Sequence, residues 1–414
     1  MNETFTAVEI CAGAGGQLLG LHSAGFQHEM AVELDSNACA TLRENELSPV
    51  AEGDVADTSV WDPHEYRGIS LLAGGVPCPP FTIAGKQLGA RDERDLFAWA
   101  IEQVEKVQPR ALLLENVRGL SMPRFAGYRQ RVLDRLAEAG YVGEWRLLHA
   151  SDFSVPQLRP RFVLVALRPE DAAYFRWPDP QKFDPAPTVG QALFELMGEW
   201  KGADDWKGHA DKIAPTIVGG SKKHGGADLG PTRAKRAWAQ MHVDAMGVAD
   251  TPPRRDDVFP VGPKLTCDMV EVLQGFSGQY EWSFTGRKTS RYRQIGNAFP
   301  PPVAHAVGDA IMKAFHRTGP RRELTPPPEQ DPIYRALEQS GDFLSAGKLI
   351  RIAGGEMSTA KLEQHMSMLS RDFDVETVTH GQTTRYKLSG FDGFVGQDGH
   401  SRHEAFLKHR ARIS

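Results

Sequence analysis

With 414 residues the chain exceeds one comfortable hydrophobic core, which excludes a small stapled scaffold and calls for two or three compact units. Its 41% hydrophobic and 24% charged residues exclude a disordered chain, and a net charge of −5 excludes a generally basic nucleic-acid coat, so a polyanionic partner needs a local patch. Cys11, Cys39, Cys78 and Cys267 are too few and too widely spaced for a disulfide framework or a zinc site, and neither a membrane span nor a signal-peptide pattern is present. A cytoplasmic protein with reduced thiols and no metal is expected.

The first 170 residues alternate strand-like and helix-like stretches, the pattern of a mostly parallel, doubly wound α/β sheet. "TAVEICA" predicts a strand, residues 15–24 a helix, "EMAVEL" a strand, "NACATLREN" a helix, "ISLLAGG" a strand and "LFAWAIEQVEKV" a helix. "ALLLENV" predicts the next strand, "RQRVLDRLAEAG" a helix and "RFVLVAL" a late strand. From 184 to 263 this pattern dissolves into Gly, Pro, Lys and Trp, and residues 212–236 hold six Lys/Arg against one acid, the mark of an inserted module. Helices resume at "LTCDMVEVLQGF" and "PPVAHAVGDAIMKAF". The domain reading is therefore a catalytic domain over 1–183, an insertion over 184–263, a return to the first domain over 264–318, a proline-rich linker over 319–332 and a small unit over 333–414. In that unit "MSTAKLEQHMSMLSRDF" predicts a helix and "VETVTHGQTTRYKL" a hairpin around Gly381, resembling a winged helix.

Several short stretches carry chemistry. "EICAGAGGQLLGL" joins strand to helix, where glycines allow close backbone approach to an adenosyl ligand. It does not match GxGxxG, since Leu18 stands where the third glycine would fall, and this disfavours a nicotinamide oxidoreductase. Glu33, ending the second strand, is placed to accept ribose hydroxyls, and Asp54 an adenine amino group; each alone is as readily a helix cap. In "GGVPCPPF" Pro77 and Pro79 fix the backbone on both sides of Cys78 at a strand's carboxyl end, where ligands of doubly wound folds bind; without those prolines it would read as a small buried hydrophobe. "LLLENVRGL" delivers Glu115 from the next strand, where a closed apolar pocket would keep it protonated. "VPQLRPRF" adds Gln157, Arg159 and Arg161.

In that order "CAGAGG", "GGVPCPPF", "ENVRGL", "QLRPR" and "RQIGNAFPPPVA" resemble the successive motifs of the DNA (cytosine-5) methyltransferases, over roughly three quarters of the chain. The resemblance implies a site-specific enzyme that transfers a methyl group from S-adenosyl-L-methionine to carbon 5 of a flipped cytosine in double-stranded DNA. It implies Cys78 as nucleophile, Glu115 as the acid on the base, Arg159 and Arg161 as organising arginines, with Arg159 able to hold O2 of the base. Cofactor contacts would come from Cys11, Ala12, Gly13, Ala14, Gly15 and Gly16, from Glu33, Leu34, Asp54 and Val55, and from Pro77, Asn297 and Ala298. The segment 184–263 would hold the target-recognition region. DNA contacts are expected from Gln157, Lys222, Lys223, Arg233, Lys235 and Arg236, and from Arg287, Lys288, Arg291 and Arg293 in "GRKTSRYRQ". Four positions depart from the family pattern: Cys11 replaces an aromatic residue, Thr82 a serine, and Asp268 and Met269 an Arg-Glu pair.

The expected protein is a monomeric methyltransferase of the bacterial cytoplasm or nucleoid, the protective half of a restriction-modification pair with a cognate endonuclease. Alternatives are an RNA (tRNA) cytosine-5 methyltransferase and a catalytically silent DNA-binding regulator on the same fold.

Overall fold

The apolar runs build strands β1 (Phe5–Ile10), β2 (Phe26–Glu33), β3 (Val50–Glu52), β4 (Leu71–Gly74), β5 (Ala111–Val117), β6 (Val142–His149) and β7 (Pro160–Leu167). They are joined by helices α1 (Gly16–Ser23), α2 (Ser36–Glu44), α3 (Phe97–Val107) and α4 (Ala126–Glu138). This computed structural model describes residues 4–76, 96–219, 227–326, 328–381 and 383–392. The strands form one sheet in the order β3-β2-β1-β4-β5-β7-β6. Strands β3 to β5 pair in parallel, as expected, and their near-continuous apolar sequences reflect burial on both faces.

The other edge differs from the sequence expectation. β7 is antiparallel to both β5 and β6, so the sheet is mixed. β6 and the three-residue β3 were not expected as strands: "VGEWRLLH" carries Glu144 and Arg146 between its apolar residues, as an edge strand can. Its Trp145 stacks on Phe162 of β7 with ring centroids 4.9 Å apart.

Two cores flank the sheet. One packs α3 and α4 against Val8, Leu72, Leu112 and Leu164. The other packs the helix Pro301–Phe315, opened by two prolines at its first turn, against Ala7, Leu71, Leu113 and Val163. A third core belongs to the insertion, and it does not stop at residue 263. Val189, Trp206, Ile217 and Trp238 bury together with Leu265, Val270, Tyr292 and Ile295, so the helices Cys267–Leu273 and Lys288–Asn297 belong to it physically.

After the linker, the helix Pro332–Ser340, β8 (Leu344–Ser345), the helices Ala346–Ile352 and Thr359–Leu369, β9 (Phe373–His380) and β10 (Thr383–Phe391) surround a core of their own. The antiparallel sheet β8-β10-β9 closes it, with the expected hairpin turning at Gly381 (φ +60°). This unit is docked on α4: Arg335 pairs with Asp134 at 2.6 Å, and a Cβ on Gly127 would lie 2.5 Å from Leu369.

Candidate active site and cofactor cradle

At the carboxyl end of β1 the chain turns through Cys11 (φ +52°), Gly13 (φ +55°) and Gly15 (φ +93°) before entering α1. Glu33 lies at the end of the neighbouring strand β2. Its Oε2 accepts the Gly13 N–H at 2.7 Å and its Oε1 accepts those of Leu34 and Asp35 at 2.8 Å each. The glycine loop is thus tied to the carboxylate expected to meet a ribose. Burial pushes the Glu33 carboxyl up, and the three N–H groups pull it back toward the charged form. Asp54 is buried and its Oδ1 accepts the Ala56 N–H at 3.0 Å, beside buried Val55.

The loop is walled from the far side by residues 276–298. Trp282 donates its indole N–H to the Ala14 carbonyl at 2.7 Å and lays its ring against Gly15, where a Cβ would approach it to 2.5 Å. Asn45 Nδ2 donates to the Ser283 carbonyl at 2.9 Å, and the Thr41 hydroxyl donates to Gln294 Oε1 at 2.6 Å, which fasten this strap to α2. Gly16 packs directly under Ala298 and Phe299: a Cβ there would sit 2.3 Å from the Phe299 carbonyl oxygen. Gly16→Val is therefore expected to lower stability by about 1–3 kcal/mol through overpacking, read as a drop in Tm. Ala298 and Phe299 form the cover on Gly16 of the glycine loop, and the side chain of Asn297 lies against Gly219. A carboxylate acceptor, a buried second acid and a tight glycine turn between them fit an adenosyl ligand.

The second cluster lies at the ends of β4, β5 and β7. β4 and β5 are adjacent, and Asn116 Nδ2 donates to the Val76 carbonyl at 3.3 Å, which positions the chain just before Pro77 and Cys78. Those two residues, with Thr82, lie outside the described residues. Glu115 Oε2 stands 3.7 Å from the position of a Cβ on Gly75, so its carboxyl faces the start of the Cys78 stretch. Arg161 Nε lies 2.6 Å from Glu115 Oε1, an ion pair without an aligned hydrogen bond. Burial pushes the Glu115 carboxyl above the usual range, against the opposing pull of Arg161 and then Arg159.

Arg159 departs from its expected role. It is fully buried, and its guanidinium donates to the carbonyls of Ile217 (2.8 Å), Gly296 (2.9 Å) and Ala298 (2.7 Å). Those bonds face backbone, so Arg161 rather than Arg159 is the arginine paired with the acid.

A C-5 cytosine-specific DNA methylase model matches residues 5–313. The chain belongs to that family. Among curated relatives, the type II methyltransferase M.NaeI of Lentzea aerocolonigenes is 62% identical over 415 residues, spanning all of both chains. M.NgoMIV of Neisseria gonorrhoeae is 49% identical over 319 residues, covering 76% of this chain and 99% of its own. In fold, a prophage-encoded DNA modification methyltransferase of E. coli matches with TM-score 0.51 at 21% identity, covering 75% of this chain and 99% of its own. Spodoptera frugiperda DNMT2 matches with TM-score 0.50 at 17% identity, covering 74% and 99%. The protein is therefore a DNA (cytosine-5) methyltransferase of the type II kind, from an S-adenosylmethionine-dependent family.

In this methylase the expected DNA contacts divide. Arg233, Arg236 and Arg287 are exposed and Arg293 is half-buried. Lys235 pairs with Asp228 at 2.9 Å and Lys288 with Asp250 at 3.0 Å, and surface pairs of this kind contribute only about 0–1 kcal/mol. One expectation fails. Gln157 is fully buried, bonded to Leu273, Gln274 and Ile217, and cannot reach DNA. Arg291 is paired at 2.5 Å with both Asp268 and Glu271, as Lys235 and Lys288 are paired with their own acids. Met269 is buried and completes the cap of its helix with Thr266. Lys222 and Lys223 lie outside the described residues. Trp282 escaped the sequence reading, although "GFSGQYEWSFTG", rich in aromatics and glycine between two helices, carried the signal of a packed strap.

Proposed function

We propose that the protein methylates carbon 5 of a cytosine flipped out of duplex DNA, through a covalent adduct on Cys78, as the protective partner of a restriction endonuclease. The observation that carries the reading is the Glu115–Arg161 pair at 2.6 Å, facing the chain that leads into Cys78. M.NaeI and M.NgoMIV, both named type II methyltransferases, support the restriction-modification role.

Carbon 5 of cytosine is a weak nucleophile, and carbon 6 of a paired base is hidden in the stack, so the base must leave the helix at a cost of a few kcal/mol. The Cys78 thiolate adds to carbon 6, and the displaced π electrons move toward carbon 5 and the ring nitrogen N3. Glu115, whose carboxyl burial raises, donates to N3 in its protonated form, while Arg161 holds the carboxyl in place. S-adenosylmethionine, when bound, supplies the electrophilic methyl group. Loss of the carbon 5 proton to a base, expulsion of the Cys78 thiolate and return of the N3 proton to Glu115 restore the aromatic ring and the free enzyme.

The glycine loop, Glu33 and Asp54 would hold the adenosyl portion of the cofactor. Glu33→Ala is expected to raise KM for S-adenosylmethionine roughly 10- to 100-fold, since hydrogen bonds to a charged group contribute about 1.5–3 kcal/mol. A tritium transfer assay checks it; an unchanged KM would remove Glu33 from the cradle. The whole reading is tested by incubating the protein with tritiated S-adenosylmethionine and plasmid DNA, followed by bisulfite sequencing. Label fixed at one recurring sequence is expected, whereas label in tRNA and none in DNA would favour the RNA alternative.

A further inference from the structure

Gln157 and Arg159, a motif read for base and DNA contact, meet a buried junction of three segments. Gln157 Nε2 donates to the Leu273 carbonyl (3.0 Å) and to Gln274 Oε1 (2.8 Å), and Gln157 Oε1 accepts the Ile217 N–H (2.8 Å). Arg159 grips the Ile217, Gly296 and Ala298 carbonyls, and Gln274 Nε2 donates to the Ile295 carbonyl at 2.6 Å. The Tyr292 hydroxyl donates to the Val218 carbonyl at 3.1 Å. Immediately beyond, Gly219 and Gly296 touch backbone to backbone: a Cβ on Gly296 would lie 2.5 Å from the Gly219 Cα, and one on Gly219 would lie 2.5 Å from the Arg293 carbonyl.

Two functional regions share this junction. Ile217–Gly219 is the stem from which the basic glycine-rich stretch departs, and Ile295–Ala298 is the segment whose end covers Gly16 of the cofactor loop. We propose that Arg159, with Gln157 and Gln274, is a positioning clamp that sets the spacing between the DNA-reading region and the cover of the cofactor loop. It acts on catalysis through backbone geometry, not through contact with the base. A guanidinium suits the task because its planar fork can serve three carbonyls from different segments at once, whereas the single ammonium of lysine cannot. The inference rests on the proposed function and assigns Arg159 a different part in it.

The test uses the full chain and two variants. Arg159→Lys keeps the charge and loses the fork; Gly219→Ala wedges the backbone contact without touching any charge. The clamp predicts that both raise KM for S-adenosylmethionine and for target DNA together, each at least about 5-fold, with a smaller fall in kcat. Both should also weaken binding of S-adenosylhomocysteine alone, measured by calorimetry without DNA. A loss confined to kcat in Arg159→Lys, with both KM values and product binding unchanged, would mean that Arg159 serves the chemistry directly and would overturn the clamp. So would wild-type parameters in Gly219→Ala. Circular-dichroism melts confirm that each variant is folded at the assay temperature. Failure of the wild-type protein to methylate DNA while it still binds S-adenosylhomocysteine would sink the proposed function, and the clamp would stand or fall separately on the calorimetry.

Discussion

Cys78→Ser is expected to abolish DNA methylation, by a factor on the order of 10⁴ or more, and to abolish covalent capture of duplexes carrying 5-fluorocytosine. Serine is the informative replacement, since it keeps the size and removes the thiolate. The other cysteines offer no substitute nucleophile at this site. Burial pushes the Cys39 thiol up to about 12, and the Cys267 thiol is buried and also pushed up, so neither is a thiolate at neutral pH. Cys11 belongs to the glycine loop after β1, whereas the chain leaving β4 toward Cys78 runs beside β5 and its Glu115. A denaturation-resistant band of protein bound to fluorinated DNA, seen on a gel for wild type, should vanish in the variant. Its persistence would place the nucleophile elsewhere.

The second large effect is at Glu115. Glu115→Ala is expected to lower kcat by about 10²- to 10⁴-fold, the usual range for removing a positioned proton donor. The pH dependence follows from the direction of its shift. Burial raises this carboxyl, so the protonated donor is present below the raised pKa and is lost as pH climbs through it. For wild type, kcat/KM should therefore fall on the alkaline side of that value. Glu115→Gln, which keeps N–H donors at every pH, should be slower but should lack this particular limb. A profile of identical shape in both proteins would show that the limb belongs to another group.

Much of this arrangement was legible in the chain because it is local. The runs "TAVEICA" and "ALLLENV" are apolar on both faces and bounded by turns, and β5 falls on the expected residues. Glu33 meets Gly13 as its place after the second strand suggested. What escaped is what depends on distant backbone. Arg159 binds carbonyls 58, 137 and 139 residues away, and carbonyls have no side-chain signature to read. β6 hid because an edge strand tolerates charge, and the insertion's core ran past residue 263 because helices that look regular in sequence can bury against either neighbour. Arg291 meets Glu271 and Asp268, two acids 20 and 23 residues away that its own stretch does not announce.

The reversed direction of β7 has a wider consequence. In a parallel sheet the useful rim collects residues that follow strands. β7 runs the other way, with Val117 opposite Arg161, so here the rim collects the residues that precede a strand. The five-residue entry Gln157–Arg161 consequently serves two walls. Gln157 and Arg159 engage the inserted module, and Arg161 meets the acid at the end of β5. One short stretch of chain thus holds the core that contains Ile217 in register with the end of β5.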